Sequence, residues 1–154
     1  MRRLLAACAL VACHATPAAP TLVKPLDSLA FYVGTWHCEG MFHDPDEHWT
    51  ATVKVAPELG GTWLEVQMIG PGTNRTVEHK GYDQTLKRWV HVAVGNDGVF
   101  GLVTSPGWDG DRMVFVSEPD DGTRTTFTKL GARRYSHAVT RGDAKVWEKV
   151  CSRS

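Results

Sequence analysis

Apolar and polar residues alternate along most of the chain, in short runs that turn residues separate. In one such run Val90, Val92 and Val94 share a face, while Trp89 and His91 share the other. A period of two is typical of β-strands, whose successive side chains point to opposite faces of the sheet. Here and in other runs both faces are partly apolar, so the alternation does not indicate which one points inward.

A helical pattern is present only near the start, over residues 25–32. Asp27 or Ser28 can cap a short helix there, with Leu29 facing inward, and Gly34 ends it.

Ten strands are predicted after this helix. They are residues 35–42, 48–56, 62–69, 75–82, 87–94, 99–104, 112–117, 123–130, 133–140 and 144–151. The loops between them are too short for crossover helices, so neighbouring strands should be antiparallel. A sheet of this size hides its edges by closing on itself. The sequence therefore predicts an all-β protein, an antiparallel up-and-down β-barrel of about ten strands with the short helix closing one end.

The first residues resemble a bacterial lipoprotein signal. Arg2 and Arg3 precede an apolar run that ends in Leu-Val-Ala-Cys at 10–13, and this run is too short to span a bilayer. We therefore expect a signal peptide at 1–12, lipidation of Cys13, a flexible tether at 13–25 and the barrel domain at 26–154. An ordinary secretory signal cut near 15–19 is the alternative. The lipoprotein interpretation predicts a periplasmic protein anchored to the outer membrane of a Gram-negative bacterium.

The balanced charge of the chain argues against nucleic acid as a partner. The chain of 154 residues has 17 basic and 17 acidic residues, and removal of Arg2 and Arg3 with the signal leaves 15 and 17. No basic stripe is present, so nucleic acid is not an expected partner. The expected contact with a membrane is through the lipid anchor. Six tryptophans are many for this length, and large aromatic residues either fill a barrel or line a pocket.

Two cysteines, Cys38 and Cys151, remain in the barrel domain. An exported protein is in an oxidising compartment, which favours a disulfide. Because the first and last strands of an up-and-down barrel are neighbours, a Cys38–Cys151 bridge would join them. Two unpaired buried thiols are the alternative, and neither cysteine has a partner at zinc-ligand spacing.

Several short motifs resemble known barrels. Leu-Ala-Phe-Tyr-Val-Gly-Thr-Trp at 29–36 is similar to the start of lipocalin-like and nitrobindin-like barrels. Residues 57–64, 81–83, 88–90 and 147–153 resemble the domain of unknown function 1579 family of bacterial barrels. This resemblance implies an antiparallel barrel with a lumen, and it implies no reaction.

The resemblance to nitrobindin-like barrels implies haem as an alternative ligand. Nitrobindins carry Gly-x-Trp-x-Gly-x-Gly and bind haem through a histidine near the C-terminus. Here Cys38 replaces the middle glycine, and residues 144–151 contain no histidine. Both departures count against haem, the missing axial ligand more strongly.

The candidate ligand-binding residues are mid-strand aromatic and imidazole side chains that would form an apolar pocket with a polar floor. They are Trp63, Trp89, His91, Tyr135 and His137. The two histidines could instead lie on the outer face or within the core. Trp36 is interpreted as a structural plug beneath the helix. The His/Asp/Glu-rich segment at 43–48 is interpreted as a polar hairpin loop rather than a metal site, and 108–111 as a turn.

The chain contains no nucleophile elbow, phosphate-binding glycine loop or paired zinc motif. No catalytic residue is therefore predicted, and an enzyme such as a small isomerase or hydratase is a minor alternative. The leading prediction is an envelope lipoprotein that binds a small apolar or amphipathic molecule in its barrel. A structural or interaction lipoprotein with a filled barrel is the runner-up, followed by a haem-binding barrel.

Overall fold

The computed structural model describes residues 24–154 of the chain. The predicted signal peptide at 1–12, the predicted lipidation site Cys13 and nearly all of the predicted tether lie outside the described residues. Among the helices of the described part, none has the length and apolar character needed to cross a membrane.

Eleven strands follow a short N-terminal 3₁₀ helix, Leu26–Tyr32. The strands are β1 Gly34–His43, β2 Asp46–Glu58, β3 Trp63–Ile69, β4 Arg75–Asp83, β5 Arg88–Gly95, β6 Phe100–Ser105, β7 Trp108–Asp109, β8 Arg112–Ser117, β9 Thr123–Gly131, β10 Arg134–Arg141 and β11 Ala144–Ser152. All ten predicted strands are present. The addition is β7, a two-residue strand that forms a hairpin with β8 where the sequence predicted only a turn.

The strands form a closed antiparallel barrel, as predicted. Neighbours in the sheet are neighbours in the chain from β1 to β6 and from β7 to β11, and β1 also pairs with β11. The barrel closes where β6 pairs with β8, through Val103–Ser117 and Thr104–Val116. This closing contact is short: two residue pairs join β6 and β8, whereas six residue pairs join β5 and β6.

A disulfide joins the first and last long strands, as predicted. Cys38 of β1 and Cys151 of β11 face each other directly in the strand register, with 4.0 Å between their Cα atoms. Both side chains are buried in the core. The bond therefore fixes the two ends of the folded chain side by side in one wall of the barrel.

The N-terminal helix covers one end of the barrel. Leu26, Leu29 and Tyr32 are buried against the barrel interior. The expected side-chain cap is absent from this helix, and Ser28 instead accepts a hydrogen bond from the indole N–H of Trp108, at 3.2 Å. The end of the barrel that carries this helix is called the closed end below.

Trp36 is fully buried beneath the helix, as the plug interpretation predicts. Its indole N–H donates a 2.7 Å hydrogen bond to the Tyr32 carbonyl. The Arg153 guanidinium lies 4.6 Å from the centre of the Trp36 ring and donates to the Val33 carbonyl. These contacts join the helix, β1 and the residue that follows β11 at the closed end.

Candidate ligand-binding cavity

A cavity of about 610 Å³ occupies the half of the barrel away from the closed end. It opens between the hairpin loops β3–β4, β5–β6 and β8–β9, and this opening is called the mouth below. The inward face of each strand is settled by burial: Trp89 and His91 of β5 point inward and are buried, while Val94 on the other face is exposed. The cavity therefore begins where the packed core of the closed end stops.

Aromatic side chains form one wall of the cavity. Trp49 lies 5.6 Å from Phe42 and 6.3 Å from Trp147, measured between ring centres. Trp49 rests directly on Gly40, where any Cβ would collide with its ring. Glycine at this position therefore allows the indole to lie flat against the barrel wall. Met68 adds a flexible apolar surface beside these rings.

Charged and imidazole side chains form the floor of the cavity. Glu78 and Lys80 are both inward-facing on β4, and Lys80 is opposite His91 in the β4–β5 register. The Glu78 carboxylate accepts a hydrogen bond from the Lys80 ammonium. His91 Nε2 lies 3.0 Å from Glu78 Oε2 and 3.2 Å from Lys80 Nζ. All three side chains are buried, so this group is a fully desolvated ion pair with an imidazole against it.

The neighbours of Glu78 determine its charge. Burial alone would raise the pKa of its carboxyl group, but the Lys80 charge and the hydrogen bond with His91 outweigh burial and hold that pKa well below its ordinary value. For His91, burial and the Lys80 charge lower the pKa in spite of Glu78. At neutral pH the group therefore consists of a carboxylate, an ammonium and a neutral imidazole.

Lys149 brings a second ammonium to the floor. It is inward-facing on β11 and buried, opposite His137 of β10 in the strand register. Its Nζ lies 3.3 Å from the Met68 sulfur and 5.5 Å from the centre of the Trp147 ring. None of the ion pairs within residues 24–154 includes Lys149. Burial lowers its pKa to about 8, with Glu78 opposing this shift and Lys80 adding to it.

His137 completes the floor. Its ring centre lies 5.0 Å from that of Trp147 and 6.2 Å from that of His91. Burial, followed by the charges of Lys149 and Lys80, lowers its pKa well below the ordinary value. Its Nε2 is enclosed and has no hydrogen-bond partner within the described chain. The floor thus carries two lysines, one carboxylate and two neutral imidazoles, which is a net positive charge.

The structure brings together some of the predicted lining residues and separates others. His91 and His137 line the cavity. Trp89 and Tyr135 point inward but belong to the packed core, where Tyr135 lies 4.9 Å from Trp36, between ring centres. For Trp63 the geometry departs from the prediction, because this residue lies on the outer face of β3.

The side chain that β3 sends inward beside Trp63 is Leu64, which is fully buried. The Trp63 ring covers Gly81 on the neighbouring strand, where a Cβ would collide with it. This packing against a glycine explains why so large an apolar residue is accommodated outside the barrel.

Most residues of the floor and of the aromatic wall were not predicted from the sequence. They are Phe42, Trp49, Met68, Glu78, Lys80, Trp147 and Lys149. In β4 the outward Val77 is apolar and 40% exposed, whereas the inward positions are charged, so the pattern is the reverse of the usual one. The only signal was that Lys149 alternates with Trp147 and Cys151, two residues that favour the interior.

Neither histidine of the floor offers a ready axial ligand for haem. The Nε2 of His91 is in contact with Glu78 and Lys80, and its Nδ1 is enclosed. The Nε2 of His137 is likewise enclosed. An iron atom would need one of these rings to rotate, so the residues present do not fit a haem as they stand. No cluster of metal-ligand side chains occurs within residues 24–154. Residues 43–48 form the tip of the β1–β2 hairpin, with Asp44 and Pro45 in the turn and the other four residues paired in the strands.

Comparisons with known proteins add little. No protein-family model matches the sequence, and no curated protein matches it. Among solved structures, a redesigned beta barrel is similar to this chain, with 14% sequence identity and a TM-score of 0.39. The match covers 81% of this chain and 93% of the other.

Proposed function

We propose that this protein binds a small amphipathic molecule in the barrel, with its polar end on the floor and its apolar body along the aromatic wall. The observation that carries the proposal is the position of Lys149, a buried ammonium that lines the cavity and forms no ion pair among the described residues. A buried charge of this kind is costly unless something pairs with it. A ligand oxygen would supply the missing partner.

The chemistry of the floor selects for hydrogen-bond acceptors. Lys149 has three N–H donors and no acceptor, and the floor has a net positive charge. Carboxylate or carbonyl oxygen therefore fits the polar end of the ligand. Trp49, Trp147 and Met68 supply the apolar contact along the rest of the cavity. A few convergent polar groups in a largely apolar cavity are typical of small-molecule sites.

For the cellular setting we propose an exported lipoprotein that is acylated at Cys13 and anchored to the outer membrane, facing the periplasm. The Leu-Val-Ala-Cys sequence at 10–13, which resembles the cleavage site of a bacterial lipoprotein signal, supports this proposal. Metabolic labelling with an alkyne fatty acid, compared between the wild type and Cys13→Ala, tests it. Label that persists in the variant would contradict lipidation at this residue.

Matched probes test the polar end of the ligand. Dodecanoate and dodecanol have the same chain, and both report through quenching of tryptophan fluorescence. A hydrogen bond to a charged group contributes about 1.5–3 kcal/mol. We therefore expect Lys149→Met to weaken dodecanoate binding by about tenfold or more and to leave dodecanol within about threefold.

Lys145→Met is the control, because Lys145 is an exposed lysine on the same strand. Equal loss in both variants, or no saturable binding of either probe to the wild type, would overturn the proposal. Native mass spectrometry of protein purified from its host would then identify the physiological ligand.

The filled-barrel alternative makes a different prediction. A structural or interaction lipoprotein needs no cavity, and the cavity of about 610 Å³ supports a binding function instead.

A haemin titration tests the haem alternative. A Soret shift that His91→Ala or His137→Ala abolishes would revive it.

A further inference from the structure

We infer that Lys149 captures aldehydes: an apolar aldehyde entering the cavity condenses with its ε-amine to form a reversible imine. This inference rests on the proposed function, since it names one chemical class of ligand for the same cavity. It goes further, because it assigns covalent chemistry to a single side chain.

The position of Lys149 supports this assignment. The two lysines of the floor differ in their contacts: Lys80 forms an ion pair with Glu78 and contacts His91, whereas Lys149 forms no ion pair among the described residues and contacts a thioether and an aromatic ring. Within the floor, Lys149 reaches the surface of the cavity, whereas Lys80 is buried away from that surface. A ligand in the cavity therefore meets one lysine whose nitrogen is free to react.

The surroundings favour the reactive form of that nitrogen. Only the neutral amine attacks a carbonyl carbon, and a lysine in an apolar pocket is activated by desolvation. With its pKa at about 8, Lys149 at pH 7.5 has a neutral fraction on the order of a hundredfold larger than that of an exposed lysine. The reaction should therefore concentrate at this residue.

The condensation balances without any further reactant. The Lys149 nitrogen attacks the carbonyl carbon, and the π electrons of the C=O bond move to oxygen. Both amine protons then leave with that oxygen as water, and a C=N bond remains. Water reverses the reaction. His137, the cross-strand neighbour of Lys149, adds a neutral imidazole to the same part of the floor.

The experiment uses 4-(dimethylamino)cinnamaldehyde as the probe, because its imines absorb at a different wavelength from the free aldehyde. Sodium cyanoborohydride then reduces the C=N bond and fixes the adduct. The expected mass increase is that of the probe less one oxygen atom. We expect one adduct per chain, which peptide mapping assigns to Lys149.

Variants separate capture in the cavity from labelling of the surface. Lys149→Arg keeps the positive charge but has no nucleophilic amine, and Lys149→Met removes both. Both should lose the adduct and the spectral change, while Lys145→Met should retain them. Circular dichroism checks that each variant is folded. Labelling that is spread evenly over exposed lysines, or that persists in Lys149→Arg, would overturn the inference.

The corresponding alcohol, 4-(dimethylamino)cinnamyl alcohol, keeps the inference distinct from the proposed function. It has the same shape and cannot form an imine. If the alcohol binds with saturation and the aldehyde gives no adduct at Lys149, the cavity binds ligands but the covalent chemistry is wrong. If neither of these molecules binds but dodecanoate does, the inference falls and the proposed function stands. If dodecanoate and dodecanol also fail to bind with saturation, both proposals fall.

Discussion

Lys149 is a side chain that lowers the stability of the folded barrel and, in the proposed function, binds the ligand. Its buried ammonium lies among a thioether and an indole rather than beside a carboxylate. A buried ammonium without an ion pair weakens the empty barrel, and the ligand proposed above would offset that cost. Stabilising changes at functional sites commonly remove function.

The pH dependence of stability should reveal this residue. The folded pKa of Lys149 is about 8, below the unfolded value of 10.5. Between these values the unfolded chain holds more protons, so stability rises with pH and the full rise corresponds to about 3 kcal/mol. Denaturant unfolding between pH 7 and pH 10.5 measures it. Lys149→Met should be more stable than the wild type at pH 7, by up to about 3 kcal/mol, and should not show this rise.

His137 should make the protein sensitive to mild acid. Its pKa and that of His91 are lowered in the fold, so both take up protons on unfolding. Their stabilising effect is complete above the unfolded value of about 6.5 and declines as the pH falls below it. Urea unfolding between pH 7.5 and pH 5 should show this decline, and His137→Phe should reduce its slope. His48→Asn, at an exposed position, is the control and should leave the slope unchanged.

Strand β4 carries a buried ion pair where a barrel usually has apolar residues. In Glu78→Gln the Lys80 ammonium would lose its carboxylate, and breaking a buried pair costs about 3–5 kcal/mol. Glu118→Gln is the control, because Glu118 pairs with Arg88 at the surface and exposed pairs contribute about 0–1 kcal/mol. Chemical denaturation compares the two variants. Equal effects would mean that the buried group is not the stabilising feature described here.

The pattern of strands was predictable and their orientation was not. Turn residues and period-two alternation located all ten long strands, because both depend on local backbone preferences. The inward face depends on the partners of each side chain. The outward Trp63 is explained only by Gly81 on the next strand, and the inward Glu78 and Lys80 only by each other and His91. Contacts between strands of this kind cannot be predicted from the sequence of a single strand.

The short pairing between β6 and β8 is the weakest contact around the barrel. Only two residue pairs join these strands, and Val103 and Ser117 also line the cavity. Regions with few hydrogen bonds open most readily. We therefore expect amide hydrogens of β6 and β8 to exchange faster than those of β1 and β2, and a bound ligand to slow them. Exchange measured by mass spectrometry tests this, and uniform protection around the barrel would contradict it.

The disulfide should stabilise the barrel as a whole rather than the cavity. It closes a loop with a sequence separation of 113 residues, for which chain entropy predicts roughly 4–5 kcal/mol, an amount that engineered bridges often fall short of. Cys38→Ala combined with Cys151→Ala should lower the melting temperature markedly and leave the dodecanoate affinity of the folded protein near that of the wild type. Thermal unfolding and fluorescence quenching measure the two effects. A double variant that melts like the wild type would show that β1 and β11 hold together without the bond.

The helix at the closed end has a consequence for how the barrel is presented. Residues that precede Leu26 join the protein at the pole opposite to the mouth. A tether that ends at Leu26 would therefore be attached at the sealed base, and the mouth would stay clear of the point of attachment.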